Sequence, residues 1–433
     1  MTESLVVILG RDIVGHLERH SGGRLTLEYT DEYRDRPEAT PISLSMPPQV
    51  RSHPDRAVTP WLWGLLPDND AVLARWARQF QVSSSSPFSL LGTQIGEDCA
   101  GAARFAPLAE VERVLTRPGN VVWLTEDEVG QRLRDLREDT TSWLGRSFTG
   151  QFSLSGAQAK TALLLKDGRW GVPSGSAATT HILKLAVAGL DDHDLNEHVC
   201  LDAARRAGLT VVRTKVTRFG EESAVVIDRY DRLEDNGDII RVHQEDLCQA
   251  LALPPTRKYQ NEGGPGPAAI AALFRSAMPP RVAEDAVWRF ADALIWNWLI
   301  AGTDAHAKNY SVLLAGDQVR LAPLYDIGSA LPYGVDEHKL HLAMKIGGDY
   351  RVFPHRNPWL KAAQELDIDV DKLLERVQLL ALRLPEAFSD SANSEDVKSL
   401  SRPLPGVLTD LVVERSKRCL ELVRGGRPDL VDP

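Results

Sequence analysis

Asp304 and Asn309 sit in residues 303–309 (TDAHAKN), with four residues between them. Phosphoryl-transfer loops use this spacing: the carboxylate orients or deprotonates an attacking hydroxyl, and the amide oxygen holds a magnesium ion. Both groups must face one cleft, so one short loop has to carry both. A second carboxylate, Asp326, follows in residues 324–328 (LYDIG). Two carboxylates and an amide offer oxygen ligands only, the donor set of a hard cation with bound phosphates. The same residues also suit bland roles. Polar side chains cap helix ends, D-x-x-x-x-N is common by chance, and Asp326 could be a turn residue before Gly328.

The upstream half supplies what a nucleotide would need. Residues 153–161 (SLSGAQAKT) open a strand with small side chains and one glycine, which lets backbone N–H groups approach phosphate oxygens. The G-x-x-x-x-G-K-[ST] pattern is absent, and a plain turn into the strand would look similar. Lys184 lies among apolar neighbours in residues 181–185 (HILKL), where a lysine is either exposed at a sheet edge or grips phosphates. Glu197 opens the next helix. It could pair with Lys184, or be a solvated glutamate favoured by the helix dipole. Asp228, Arg229 and Tyr230 begin DRYDR, residues 228–232, at the last strand before the helical part, where backbone groups could read an adenine edge. A charged strand end is the plain alternative.

The elements around these residues are legible in outline. Residues 5–10, 15–18 and 24–29 read as short antiparallel strands joined by glycine turns. Residues 61–80 read as helix, broken at Pro67-Asp68-Asn69-Asp70. A helix starts at Pro87, a strand covers 121–124, and an amphipathic helix begins at Glu126. Residues 161–165, 170–172 and 181–185 are strands, 195–207 a helix, and 211–219 and 223–228 strands again. After Gln244 nearly everything reads as helix, apart from one hairpin of residues 310–315 and 319–325. Leu373, Leu374, Val377, Leu380 and Leu384 read as core. The expected fold class is α+β, with three segments. Residues 1–145 form an accessory subdomain, 146–240 a β-rich lobe with phosphate loop and hinge, and 241–433 a helical lobe with catalytic loop and metal site.

Composition sets the limits. The chain has 433 residues, 43% apolar and 25% charged, which supports a sizeable core and excludes disorder as the main state. Its formal charge of −10 means that nucleic-acid binding would need a local basic patch. No apolar run approaches the ~20 residues of a membrane span, and the N-terminus lacks the basic flank of a signal peptide. Cys99, Cys200, Cys248 and Cys419 are too far apart for a zinc motif or a disulfide framework, which suits a reducing cytoplasm.

Taken together, the ordered motifs resemble those of the HipA-type toxin kinases. They are residues 153–165 (SLSGAQAKTALLL), 181–185, Asn196-Glu197, 228–232, 243–255 (HQEDLCQALALPP), 257–266 (RKYQNEGGPG), 303–309 and 321–333 (LAPLYDIGSALPY). Residues 65–67, 87–96 and 98–101 are similar to the family's N-terminal subdomain. The resemblance implies a two-lobed serine/threonine kinase of the protein-kinase-like, phosphoinositide-kinase-related fold, using ATP and Mg²⁺. It makes Asp304 the catalytic residue, Asn309 and Asp326 the metal ligands, and Lys184 the ATP lysine. It makes Ser155, Gly156, Ala157, Gln158, Ala159 and Lys160 the phosphate loop, and Asp228, Arg229 and Tyr230 the adenine hinge. His306, Ala307, Lys308, Asn309 and Tyr325 would line the nucleotide. Ser153 matches the loop serine that such kinases autophosphorylate, adding roughly two negative charges beside the ATP phosphates and expelling the loop. Ser155 stands where many members lack a hydroxyl, so either serine could be the target.

The resemblance further implies a helix-turn-helix antitoxin of the HipB type as partner, with operator DNA reached mainly through it. Residues 361–369, where direct DNA contacts would be sought, are acidic here. The implied substrate is an aminoacyl-tRNA synthetase, the glutamyl enzyme first, whose phosphorylation would block translation and cause growth arrest and persistence. Two other readings remain at this point: a catalytically quiet co-repressor and a small-molecule kinase. The intact set of Lys184, Asp304, Asn309 and Asp326 argues against the first. A neighbouring helix-turn-helix gene or a metabolic operon would separate the toxin from the second.

Overall fold

Residues 3–145 and 151–425 are described by the computed structural model. The boundary expected at 145/146 adjoins residues 146–150, and the outer ends of the first and last segments are 1–2 and 426–433; all of these lie outside the described residues. The chain divides into two compact units. One comprises residues 1–185, 218–257 and 311–322; the other comprises 186–217, 258–310 and 323–433.

The first unit begins with an antiparallel five-stranded sheet in the order Ser52–His53, Leu25–Tyr29, Asp12–Arg19, Glu3–Leu9, Ala103–Pro107. Glu3–Leu9 alternates between two cores. Leu5, Val7 and Leu9 join the large one, while Val6 and Ile8 pack with Ala106 and Val114 on the other face. A strand covered on both faces must be apolar at successive positions, and residues 5–9 are all buried. The expected helix break is present. Asp55–Gly64 ends, and Asp70–Phe80 restarts with Asn69 accepting from the N–H groups of Ala71 and Val72 at 3.1 and 3.2 Å.

The second sheet has six strands. Glu222–Asp228, His181–Lys184, Lys160–Lys166, Arg169–Ser174 and Asn120–Leu124 follow in that order, and the sixth, Thr214–Phe219, carries the chain between the units. Asp167 and Gly168 both take positive φ, 50° and 73°, in the tight turn between Lys160–Lys166 and Arg169–Ser174. The helix Glu126–Glu138 starts with a capping box of Thr125 and Glu128. Its buried Arg132 donates to Thr161 Oγ1 at 2.9 Å. A three-stranded sheet pairs His243–Asp246 with Ser311–Ala315 and Gln318–Leu321.

The second unit is mainly helical: His193–Arg206, Pro267–Ala277, Pro280–Ile300, Val370–Ala392 and Leu404–Val423 are its longest helices. Residues 293–300 are all buried, so the end of the 21-residue helix Pro280–Ile300 is central rather than one-sided. Leu373, Val377, Leu380 and Leu384 are core; Leu374 is only half-buried.

Three expectations need correction. Residues 211–213 are not strand: Val211 forms a single parallel bridge with Leu324, and the strand begins at Thr214. The second strand of the hairpin ends at Leu321, not Tyr325. Pro323 has no N–H to donate, and the Leu324 N–H turns to the carbonyl of Thr210 at 3.0 Å. The region after Gln244 also holds a second hairpin, His341–Ile346 with Asp349–Arg351. Its turn is Gly347-Gly348, both at positive φ, a hairpin signal that the surrounding helical periodicity obscures. No helix among the described residues is long and apolar enough to cross a membrane.

Candidate functional site

In the helical unit, the candidate catalytic loop begins where Pro280–Ile300 stops. Ala301 closes the helix at φ 54°, and the Gly302 N–H returns to the Asn297 carbonyl at 2.7 Å. The next turn is held by its own backbone: His306 N–H donates to Asp304 O at 2.8 Å, and Asn309 N–H to His306 O at 2.9 Å. The Asn309 side chain donates Nδ2 to Asp304 O at 2.7 Å, which orients its Oδ1 as a potential ligand. Asp304 itself points outward, with its side chain 67% exposed, while His306, Ala307, Lys308 and Asn309 are buried. One carboxylate is therefore presented to solvent from a loop that is otherwise fixed. Burial lowers the His306 pKa despite the carboxylate of Asp304 nearby, so this ring is neutral near pH 7.

Tyr325 and Asp326 reach the same loop. The Tyr325 hydroxyl donates to the Lys308 carbonyl at 2.7 Å. Asp326 is half-buried and takes a left-handed backbone conformation, φ 58°, which is strained for a non-glycine residue. The segment after it is clamped. Asn196 accepts from Ser329 N–H at 3.0 Å and donates to Ser329 O at 2.7 Å, and Ser329 Oγ donates to Ile300 O at 2.6 Å. Asn196, noted in the sequence only as part of a motif, thus ties the Asp326 segment to the helix His193–Arg206. Glu197 on that helix is 1% exposed, which removes its reading as a solvated glutamate.

The other unit holds the nucleotide-side candidates. Lys184 is buried on an internal strand, not at a sheet edge, and lies opposite Lys160 in the antiparallel register. The loop before the strand is anchored through successive carbonyls. Ser155 O accepts from Lys160 Nζ at 2.6 Å, Gly156 O from Asp68 N–H at 3.1 Å, and Ala157 O from Asn69 Nδ2 at 3.4 Å. Gln158 donates to Leu185 O at 2.9 Å, and Ala159 packs against the large core. Gly156 sits at φ 99°, and a Cβ there would lie 2.8 Å from Lys160 Nζ.

Ser153 is fully buried. Its hydroxyl donates to Leu65 O at 2.6 Å, and its backbone is tied to Asp98 and Ala100. Ser155 is half-buried.

At the hinge, Asp228 ends its strand half-exposed, 3.2 Å from His181 Nε2. Tyr230 donates its hydroxyl to Gln244 at 2.7 Å. Arg229, expected at the adenine hinge, turns its side chain into the protein interior. Its side chain donates to Asp231, Thr179 Oγ1 and Cys99 O, and its N–H donates to Thr180 O. Asp98 is the anion at the centre of this cluster. Burial opposes its ionisation, but Arg232, Arg241 and Arg229 hold its carboxyl well below the usual range.

No cluster of three or more His, Cys, Asp or Glu side chains suited to a metal occurs among the described residues. A site of one amide and one carboxylate would not form such a cluster. Magnesium commonly takes one or two protein oxygens and completes its shell with phosphates and water, so Asn309 and Asp326 fit as a donor set.

Comparison with known proteins identifies the family. A HipA-like C-terminal domain matches residues 152–388, and a HipA N-terminal domain matches residues 5–106. Y4mE of Sinorhizobium fredii is 34% identical over 381 residues, covering 87% of this chain and 89% of that protein. The serine/threonine-protein kinase toxin HipA of Shewanella oneidensis is 26% identical over 406 residues, covering 90% and 89%. A chain from the Shewanella oneidensis complex of HipA, HipB and operator DNA superposes with a TM-score of 0.82, at 23% identity, over 98% of this chain and 99% of that one. This mixed α/β fold, β-rich toward the N-terminus and helical toward the C-terminus, and the two matched domains establish that the chain belongs to the HipA family of serine/threonine-kinase toxins.

Proposed function

We propose that this chain transfers the γ-phosphoryl group of ATP to a serine or threonine hydroxyl of a protein, as the toxin of a toxin–antitoxin pair in the cytoplasm. The observation that carries the reading is the exposed Asp304 carboxylate on an otherwise buried loop, with Asn309 bonded to its backbone and the strained Asp326 segment tied to the same loop through Tyr325. Asp304 orients the acceptor hydroxyl and takes its proton as the oxygen attacks phosphorus. Asn309 and Asp326 would hold Mg²⁺, which when bound supplies charge neutralisation on the phosphates. Lys184 and Lys160 balance phosphate charge from the sheet, residues 155–160 cradle the phosphates, and residues 228–230 hold the adenine end by backbone. The Arg229 side chain serves the fold there.

The proposed partner is a helix-turn-helix antitoxin of the HipB type, with operator DNA bound mainly through it. The HipA–HipB–operator complex whose fold this chain shares supports that choice. The proposed substrate is an aminoacyl-tRNA synthetase, the glutamyl enzyme first, so that phosphorylation arrests translation and growth. Autophosphorylation would regulate the enzyme. A phosphate on Ser153 cannot stay where that hydroxyl now sits, fully buried against Leu65 O, so modification there would keep the loop out of place and switch the kinase off. Ser155 is only half-buried, so its modification would not require that displacement.

The test is incubation of the purified chain, and of an Asp304→Asn variant, with ATP, Mg²⁺ and purified aminoacyl-tRNA synthetases, followed by phosphosite mapping. Phosphate on one synthetase and on Ser153, in the wild type only, is the expected result. No transfer to any protein, with ATP still bound, would make the chain a quiet co-repressor. Transfer only to small metabolites would make it a small-molecule kinase.

A further inference from the structure

Residues 257–266 (RKYQNEGGPG) have no role in the reading so far, yet the fold lays them against the catalytic loop. The Lys258 carbonyl accepts the Ala307 N–H at 3.1 Å. The next residue, Tyr259, stands edge-on to His306, with ring centroids 4.9 Å apart and planes at 87°. Its hydroxyl donates to Asp304 Oδ1 at 2.5 Å, across 45 residues of sequence. Gln260 then accepts the Lys345 N–H at 2.7 Å, and the Gly264 N–H closes back on the Tyr259 carbonyl at 2.9 Å. Tyr259 is thus gripped on both sides: its loop is bonded to the catalytic loop on one flank and to the hairpin His341–Ile346 on the other.

This bears on Asp304 for a simple reason. A carboxylate whose side chain is 67% exposed is free to sample several rotamers, and most of them do not face an acceptor. A charge-assisted hydrogen bond from a rigid, two-torsion ring removes that freedom before substrate arrives. We propose that Tyr259 is a positioning residue for phosphoryl transfer: by donating to Oδ1 it fixes the Asp304 carboxylate so that Oδ2 faces the acceptor hydroxyl. This rests on the reading of Asp304 as the group that takes the acceptor's proton. In the step, the acceptor O–H bond breaks and its proton goes to Oδ2. The acceptor oxygen bonds to the γ-phosphorus. The bond from that phosphorus to the β–γ bridging oxygen breaks, and its electron pair leaves with ADP. Tyr259 keeps its own proton throughout.

The experiment measures ADP formation from ATP in the presence of Mg²⁺ against ATP concentration, with water or the chain's own serines as acceptor. It compares the wild type with Tyr259→Phe, Tyr259→Ala, Tyr259→His and Asp304→Asn, each checked for an unchanged unfolding midpoint. Positioning predicts that Tyr259→Phe lowers the maximal rate by roughly 10- to 100-fold while half-saturation by ATP moves less than about twofold. Tyr259→His, which keeps a ring donor, recovers part of the rate. Tyr259→Phe at the wild-type rate, with loss only in Tyr259→Ala, would overturn the proposal, because the ring alone would then matter. A rise in half-saturation matching the fall in rate would also overturn it, as a nucleotide-binding role. Undiminished turnover in Asp304→Asn, or none in the wild type, removes the reading of the site itself, and the proposal with it.

Discussion

Glu245 offers a quantitative check on the interior of the β-rich unit. It lies on the strand His243–Asp246, fully buried, and its Oε1 accepts the Leu44 N–H at 2.7 Å. Its Oε2 has no partner among the described residues. Burial therefore pushes its pKa up from 4.5 to about 8, partly offset by the Leu44 N–H. In the unfolded chain the carboxyl ionises above its ordinary pKa, while in the folded chain it stays protonated until about pH 8. Each unit of pH in that window costs about 1.4 kcal/mol of stability. The raised pKa thus contributes stability that is complete at low pH and is lost progressively as pH rises through the window, about 3 kcal/mol of it by pH 7. Glu245→Gln keeps the acceptor for Leu44, places its amide nitrogen where Oε2 is already unpartnered, and removes the ionisation. Urea unfolding at pH 5, 6, 7 and 8 should therefore show the variant gaining on the wild type at every step, by about 3 kcal/mol at pH 7 relative to their difference near pH 4.5. Parallel stability curves for the two proteins would show that Glu245 is ionised in the folded state, and the argument from burial would be wrong.

Other outcomes follow from single side chains. Arg415 is completely buried on Leu404–Val423. It donates to the Trp298 carbonyl at 2.8 Å and the Val352 carbonyl at 2.6 Å, and it pairs with Glu337. Arg415→Met should cost about 3–5 kcal/mol in urea unfolding, and Arg415→Lys should recover little of it because the planar fork is lost. Asn196→Ala leaves the backbone N–H and C=O of Ser329 without their Asn196 partner and should destabilise the protein by about 2–4 kcal/mol. The same change should weaken ADP binding in the presence of Mg²⁺, read by calorimetry, because the Asp326 segment loses its clamp. Asn309→Ala and Asp326→Asn should weaken nucleotide binding at least tenfold with Mg²⁺ present, and by less than twofold with the metal chelated. An equal loss in both conditions would show that these residues touch the nucleotide directly and are not metal ligands.

What the sequence determined by itself was local. Asp304 and Asn309 were legible as candidates because the pattern spans only four intervening residues, and one turn brings the Asn309 side chain to the Asp304 carbonyl. The helix break after Gly64 was legible for the same reason, since Asn69 caps a helix within three residues of itself. Where local signals competed, the reading failed: Gly347-Gly348 marked a hairpin that the flanking apolar periodicity concealed, and Pro323 ended a strand that pattern alone extended. Tertiary structure decided the rest, because burial and partnership are set by residues far away in the chain. The Ser153 hydroxyl is occupied by Leu65, 88 residues earlier, and Arg229 is drawn inward by Asp98 and Cys99, more than a hundred residues earlier. Tyr259 meets Asp304 across 45 residues, and no spacing rule links them. The types of chemical group were therefore written in the chain, whereas their accessibility, charge state and orientation came from the packing that removes water from some of them and leaves Asp304 exposed.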